Sequence, residues 1–124
     1  MNKFKITLIL FSMLFFACQT NEGQVIKVVD KAAIKKDVIG KNTQLIDVRT
    51  PEEYASGHIG NAVNYNILNK DTFIIQIQKL DKNQPVYLYC KIGGRSNRAA
   101  NLLKEQGFKK IFDYSGGYND WVKE

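Results

Sequence analysis

The sequence is poor in the residues that build metal centres, disulfide frameworks and redox pairs. Its 124 residues include only two cysteines, Cys18 and Cys90, and one histidine, His58. No C-x-x-C pair occurs, which argues against a thioredoxin-like redox motif. A single histidine without a cluster of cysteines or carboxylates argues against a metal site. We therefore expect neither a metal nor a cofactor, and we expect His58 to pack within a loop rather than act as a base.

A concentrated basic surface and internal repeats are also lacking. The formal net charge is +6, but the lysines are scattered and do not alternate with aromatic residues along one stripe. This pattern argues against a nucleic-acid partner. A mild positive charge contributes to solubility and attracts small anions. The length suits one compact domain, which we expect to be a monomer.

The long hydrophobic run lies at the N-terminus and predicts export. Two lysines precede an uncharged apolar segment, residues 6–17, which is too short to span a bilayer comfortably and has the form of a secretory signal. Ala17 ends this segment and Cys18 follows it. The pair resembles the lipobox of bacterial lipoproteins, although Phe15 stands where a leucine is usual. In that family Cys18 would receive the lipid and become the first mature residue.

The lipobox resemblance divides the chain into three parts: a signal at residues 1–17, a tether at 18–24 and a folded domain at 25–124. It implies an exported cell-envelope lipoprotein that faces the periplasm and meets the membrane through lipid on Cys18. Gln19 replaces the aspartate that marks inner-membrane retention in some bacteria, which favours the outer membrane. A plain cleaved signal and a retained membrane anchor are the alternatives.

The folded part alternates short β-branched or apolar runs with helical patterns. Strands are predicted at residues 25–29, 44–49, 62–65, 86–89 and 110–114, with a helix after most of them. Such alternation is typical of βα units, so we expect an α/β fold built on a mostly parallel sheet. Thr50, Pro51 and Glu53 form a capping box at a helix start. A further helix is predicted over residues 97–106, with its first turn near Arg95.

Cys90 stands where the chain leaves the fourth strand and turns towards this helix. Gly93 and Gly94 permit main-chain conformations in which successive N–H groups converge into an anion-binding nest. Arg95 and the positive end of the helix add to the field. All of these favour a thiolate over a thiol and suit an anion such as thiosulfate. A cysteine that is already a thiolate needs no general base. The alternative interpretation is that Cys90 is an inert buried cysteine.

Three motifs in the same order resemble rhodanese-like sulfurtransferases, and together they span about residues 25–124. The segments are residues 90–96 (CKIGGRS), residues 45–54 (LIDVRTPEEY) with 57–59 (GHI), and residues 115–118 (SGGY) with Trp121. The family often has Pro-Gly after His-Ile, where this chain has Gly60 and Asn61. The resemblance implies a three-layer α/β domain with a mostly parallel five-stranded sheet and helices on both faces.

The resemblance also implies a mechanism and its residues. Cys90 would take the outer sulfur of a small sulfur-containing anion, become a persulfide, and pass the sulfur to a thiol, to cyanide or to a protein thiol. Arg95 would hold the donor, together with the main chain of a substrate-binding loop. The other loop residues are Lys91, Ile92, Gly93, Gly94 and Ser96. Asp47 and Arg49 would be supporting residues that shape the loop floor.

Two other functions stay open at this point. A sulfur carrier without turnover, or a protein-binding module, would use the same fold to present a surface. A phosphatase or arsenate reductase is a further alternative, because some cysteine phosphatases share this fold. Those enzymes place five residues between cysteine and arginine, whereas only four residues, 91–94, separate Cys90 from Arg95. The shorter loop favours sulfur over phosphate or arsenate.

Overall fold

Strands and helices alternate along residues 23–124, the part of the chain that the computed structural model describes. The strands are β1 (Ile26–Val29), β2 (Gln44–Asp47), β3 (Val63–Asn64), β4 (Val86–Tyr89) and β5 (Ile111–Tyr114). The helices are α1 (Lys31–Asp37), α2 (Pro51–Ala55), α3 (Lys70–Ile77), α4 (Gly94–Glu105) and α5 (Gly117–Trp121). The predicted signal and Cys18 lie outside the described residues.

The five strands form one sheet in the order β1-β5-β4-β2-β3, and each neighbouring pair is parallel. All four residues of β4 are buried, as expected for a strand that is covered on both faces. Helices α3 and α4 cover one face, where Phe73 and Leu103 pack against Leu88. Helices α1, α2 and α5 lie on the other face, which buries Ile34 of α1 and Tyr89 of β4. The predicted fold class, a three-layer α/β domain with a parallel sheet, is therefore confirmed.

Local sequence signals explain most helix starts. Thr50 forms the predicted capping box with Glu53 at the start of α2. Helix α3 begins at Lys70, because the Asn69 side chain caps it. Helix α4 begins at Gly94, earlier than predicted, because Gly93 adopts a left-handed conformation (φ 108°) that turns the chain directly into the helix.

The parallel arrangement brings the carboxyl ends of the strands to one edge of the sheet. Cys90 follows β4 there, with Arg49 beyond β2 on one side and Ser115 beyond β5 on the other. This edge is the place where open α/β sheets bind ligands. Within residues 23–124, no helix has the length and apolar character needed to cross a membrane.

Candidate active site

Cys90 is the centre of the candidate site. Its side chain is 1% exposed and packs in the hydrophobic cluster between the sheet and helices α3 and α4. The Gly93 N–H donates a hydrogen bond to the sulfur over 3.0 Å. The Ser96 hydroxyl oxygen lies 3.6 Å from the sulfur. The thiol is thus buried except for a small opening and is surrounded by polar groups of the loop that follows it.

These polar groups decide the ionisation of the cysteine. Burial raises the pKa of the Cys90 thiol and is the largest single influence on it. The Ser96 hydroxyl, the Ser96 N–H and the N–H groups of Gly93 and Ile92 act in the opposite direction. Together they outweigh burial, so the pKa lies below its ordinary value. Hydrogen bonds to sulfur therefore shift Cys90 towards the thiolate, the form that burial alone would disfavour.

The loop directs its N–H groups inwards because helix α5 holds its carbonyl groups outwards. The Tyr118 N–H donates to the Cys90 carbonyl oxygen over 2.8 Å. The Asn119 N–H donates to the Lys91 carbonyl oxygen over 3.1 Å. With these carbonyls turned away, the cradle around the sulfur consists of donors. Such an arrangement favours negative charge on a bound group as well as on the cysteine itself.

Two glycines make this close packing of main chains possible. A Cβ atom on Gly93 would stand 2.5 Å from the Ser115 carbonyl oxygen, and one on Gly117 would stand 2.5 Å from the Lys91 carbonyl oxygen. Both glycines also have positive φ angles, 108° and 67°. Any side chain at either position would therefore push the loop away from β5 and α5.

The remaining loop residues contribute main chain more than side chain. Lys91, Ile92 and Gly94 are exposed, and 72% of the Ile92 side chain is accessible to solvent. Ser96 is fully buried, and its hydroxyl donates to the Gly93 carbonyl oxygen over 3.1 Å. Of the predicted loop residues, Gly93 and Ser96 contact the Cys90 sulfur, and the Ile92 N–H acts on the pKa of the thiol.

Arg95 is held at the rim of the site by Glu53. Its two terminal nitrogens donate to the two carboxylate oxygens of Glu53 over 2.6 and 2.9 Å, a bidentate pair. This pair is the main cause that lowers the pKa of Glu53 to about 2. The pKa of Arg95 is raised, first by the hydrogen bond to Glu53 and also by the charge of Cys90. Arg95 therefore acts on Cys90 through its field while its hydrogen bonds go to a carboxylate.

Asp47 and Arg49 form a second, buried pair below the site. The Arg49 Nη2 atom donates to Asp47 Oδ2 over 2.7 Å and to the Gly57 carbonyl oxygen over 2.6 Å. The Tyr89 hydroxyl donates to Asp47 Oδ2 over 2.6 Å. The Arg49 guanidinium also lies 4.3 Å from the centre of the Tyr118 ring. This network joins the end of β2 to β4 and to α5, whose Tyr118 N–H bonds to the Cys90 carbonyl oxygen.

His58 contacts Tyr54 of helix α2. The His58 ring stacks on Tyr54 with ring centres 4.0 Å apart, and its Nδ1 atom lies 3.2 Å from the Tyr54 carbonyl oxygen. Among residues 23–124, no group of three or more histidine, cysteine, aspartate or glutamate side chains could hold a metal ion.

A family model described as "Rhodanese-like domain" matches residues 30–124. The chain belongs to the rhodanese-like domain family. It is 37% identical over 81 residues to the uncharacterized protein YqhL of Bacillus subtilis (strain 168); this match covers 65% of the chain and 62% of the relative. The chain thus spans less than two thirds of the length of that relative.

Solved structures of rhodanese-like domains share the fold. A rhodanese-like domain protein from Staphylococcus aureus superposes with a TM-score of 0.69 and 30% identity, covering 79% of this chain and 93% of that one. The human single-domain sulfurtransferase TSTD1 superposes with a TM-score of 0.66, covering 78% of this chain and 96% of that one. At 24% identity, the second likeness shows the fold alone.

Two residues of this rhodanese-like site were missed by the sequence reasoning. Glu53 was assigned only to the capping box of α2, yet it also pairs with Arg95, 42 residues along the chain. Asp113 was taken as an ordinary residue of the last strand, yet it is 1% exposed. A charged residue inside an otherwise apolar strand was the available signal for Asp113. The position of Glu53 just beyond the carboxyl end of β2 was the signal for its proximity to the site.

Proposed function

We propose that this protein is a sulfurtransferase that moves sulfane sulfur from a donor such as thiosulfate to a thiophilic acceptor through a persulfide on Cys90. The observation that carries the proposal is the buried sulfur among polar groups of its loop: the Gly93 N–H donates to it over 3.0 Å, and the Ser96 hydroxyl, which can turn its hydrogen to a thiolate, lies 3.6 Å away. These donors lower the pKa of Cys90. They support a thiolate nucleophile without a neighbouring base.

The reaction has two half-steps. The Cys90 thiolate attacks the outer sulfur of thiosulfate, a new S–S bond forms, and sulfite leaves with the electron pair of the bond that breaks. The terminal persulfide sulfur then carries the negative charge that the cradle stabilises. An acceptor thiolate or cyanide attacks that sulfur, and Cys90 is released as a thiolate. The acceptor classes we propose are a small thiol, cyanide and a protein thiol.

The size of the loop supports sulfur as the transferred group. Four residues lie between Cys90 and Arg95, and the described loop is drawn tightly around a single sulfur atom. A tetrahedral phosphoryl group has three further oxygens that need donors, and a longer loop would supply them. Lipid on Cys18 and a periplasmic location stay predictions, because Cys18 lies outside the described residues.

Intact-mass spectrometry with and without thiosulfate tests the proposal. We expect the wild-type protein to gain about 32 Da, the mass of one sulfur atom carried as a persulfide. The Cys90→Ser variant keeps Cys18 and should gain nothing. A wild-type protein without an adduct, or an equal adduct on Cys90→Ser, would contradict the proposal. If each chain forms one persulfide but transfers no sulfur to any acceptor tested, the protein is a sulfur carrier and not an enzyme.

A further inference from the structure

Asp113 is a buried acid for which the proposed reaction has no role. It lies on β5, level with Leu88 of β4, whose side chain packs in the cluster between the sheet and helices α3 and α4. The residue is 1% exposed, and its Oδ1 atom is buried without a hydrogen-bond partner among residues 23–124. Buried polar atoms without partners are rare in folded proteins, so this carboxyl group requires an explanation.

The surroundings of Asp113 favour the neutral acid over the carboxylate. An ionised carboxylate without a cation is far more costly to bury than a neutral polar group. The two arginines of the site are already paired, Arg49 with Asp47 and Arg95 with Glu53. Burial raises the pKa of the Asp113 carboxyl group, and the Ser96 hydroxyl offsets only part of that rise.

Ser96 is the polar group that acts on both residues: its hydroxyl lowers the pKa of Asp113 and lies 3.6 Å from the Cys90 sulfur. That hydroxyl has one hydrogen to give. While Cys90 is a thiol, its S–H group donates to the Ser96 oxygen, and Ser96 donates to the Gly93 carbonyl oxygen over 3.1 Å. A thiolate only accepts, so Ser96 must turn its hydrogen to the sulfur. The Gly93 carbonyl is then still satisfied, because it also accepts the Asn97 N–H over 3.1 Å.

The protonation state of Asp113 decides which way the Ser96 hydroxyl turns. An ionised Asp113 would be a second acceptor and would compete with the Cys90 thiolate for the single hydrogen of Ser96. A protonated Asp113 is a donor, and its O–H group bonds to the lone pair that Ser96 exposes when its hydrogen points to the sulfur. The neutral acid therefore cooperates with the thiolate, and each bond in the chain polarises the next.

We propose that Asp113 is a neutral carboxylic acid that donates a hydrogen bond to the Ser96 oxygen and so holds the Ser96 hydroxyl on the Cys90 thiolate. Asp113 is a positioning residue, since it touches neither donor nor acceptor and keeps its own proton throughout. The inference rests on the proposed role of Cys90 as a nucleophile. It adds to that role a buried acid that works as a donor at neutral pH, where a carboxyl group would ordinarily be an acceptor.

The elements packed around these hydrogen bonds bring both polar and apolar groups to them. Strand β4 contributes Cys90, and α4 contributes Ser96 and the charge of Arg95. On the other side, β1 places the apolar Val28 level with Asp113. Burial raises the pKa of Asp113, and the Ser96 hydroxyl lowers it.

The pH dependence of Cys90 alkylation tests the inference, because iodoacetamide reacts with the thiolate alone. Peptide mass spectrometry on the full chain separates Cys90 from Cys18. We expect Asp113→Ala to move the midpoint to higher pH and to slow alkylation at neutral pH about tenfold, the effect of one lost hydrogen bond. Asp113→Asn should stay within about threefold of the wild type, because its amide N–H also donates.

Two outcomes would overturn the inference. An Asp113→Asn variant as slow as Asp113→Ala would mean that the site needs an ionisable acid there. An unchanged midpoint in Asp113→Ala would mean that the residue does not act on Cys90. The control is Asp30→Ala, which removes the N-cap of α1 on the opposite face and leaves the loop untouched. If this variant moves the midpoint as far as Asp113→Ala, the shift reports general destabilisation and the inference fails.

An infrared difference spectrum gives a second readout that does not depend on Cys90. At neutral pH the wild-type protein should show the C=O stretching band of a protonated carboxylic acid, and Asp113→Asn should lose it. Absence of the band in the wild type would overturn the inference. The wild type could fail to form a persulfide while the Asp113 variants still show the expected shifts in the alkylation midpoint. That result would overturn the proposed function and leave Asp113 in its positioning role.

Discussion

The site contains two arginine–carboxylate pairs that differ in depth and in what they can do. The pair below the loop, Asp47 with Arg49, is almost fully enclosed, with side-chain exposures of 0% and 3%. The pair at the rim, Glu53 with Arg95, is 28% and 20% exposed. The lower pair also receives the Tyr89 hydroxyl and reaches the Gly57 carbonyl oxygen, so it joins several segments.

This difference in depth separates a structural role from an exchangeable one. A buried charge that loses its partner is left without compensation, so the Asp47–Arg49 pair has to stay closed for the fold to hold. Near the surface, water and ions replace a lost partner at little cost. Under the proposed function, Arg95 would exchange Glu53 for the sulfonate of a donor, and Glu53 would oppose that exchange by competing for the same nitrogens. The predictions below test this division.

Removal of one charge from the lower pair should give the largest effect. Asp47→Asn leaves Arg49 buried without its carboxylate and should lower the free energy of unfolding by about 3–5 kcal/mol. Urea unfolding followed by circular dichroism measures this change. The matched variant at the rim, Glu53→Gln, should cost at most about 1 kcal/mol. Equal losses in the two variants would show that depth does not distinguish the pairs.

Glu53→Gln should have an intermediate effect, on substrate binding rather than on stability. The glutamine amide binds Arg95 less strongly than a carboxylate does, so the guanidinium becomes available to an anionic donor. We expect the KM for thiosulfate to fall about three- to tenfold, within the range of one charge-assisted hydrogen bond. Steady-state sulfur transfer to a saturating thiol acceptor measures it.

The control for that experiment is Glu53→Gln combined with Arg95→Ala. If Glu53 acts by competing for Arg95, the substitution at residue 53 should have no effect on KM once the arginine is absent. A KM that falls equally in both backgrounds would instead indicate that the carboxylate simply repels the anion. A KM that rises in Glu53→Gln would contradict the exchange altogether.

The smallest effect should come from acid, which protonates Glu53 and so opens its pair with Arg95. Its hydrogen bond with Arg95 lowers the pKa of Glu53 from 4.5 to about 2. A carboxyl group whose pKa is depressed in the fold stabilises it above the unfolded pKa and loses that contribution as pH falls through the folded value. The stability difference between wild type and Glu53→Gln, at most about 1 kcal/mol, should therefore shrink between pH 4.5 and pH 2. A difference that stays constant over this interval would contradict the pairing.

Local signals were enough to predict the sheet and the centre of the site. The apolar run of β4, the two glycines and the helical pattern after them are adjacent in the chain, so the setting of Cys90 followed from sequence. The capping box of α2 was predicted for the same reason, because its two residues are three positions apart. Parallel topology then placed the ends of β2, β4 and β5 at one edge.

Long-range contacts account for what the sequence did not predict. Glu53 meets Arg95 only because α2 packs beside the first turn of α4, which no periodic pattern encodes. Asp113 is unusual only through its burial, and burial depends on the whole of α4 lying above it. The early start of α4 depended on the conformation of Gly93, since a glycine pair reads equally well as loop or as helix entry.

The main-chain construction of the cradle has a consequence for how this loop can vary. The donors around the sulfur belong to the backbone, so the side chains of Lys91 and Ile92 are exposed and open to change. The constraint lies instead at Gly93 and Gly117, where the required feature is the absence of a Cβ atom. Much of the information that specifies the site is therefore carried by two residues without side chains. The exposed side chains of the loop are left free to vary in size and charge.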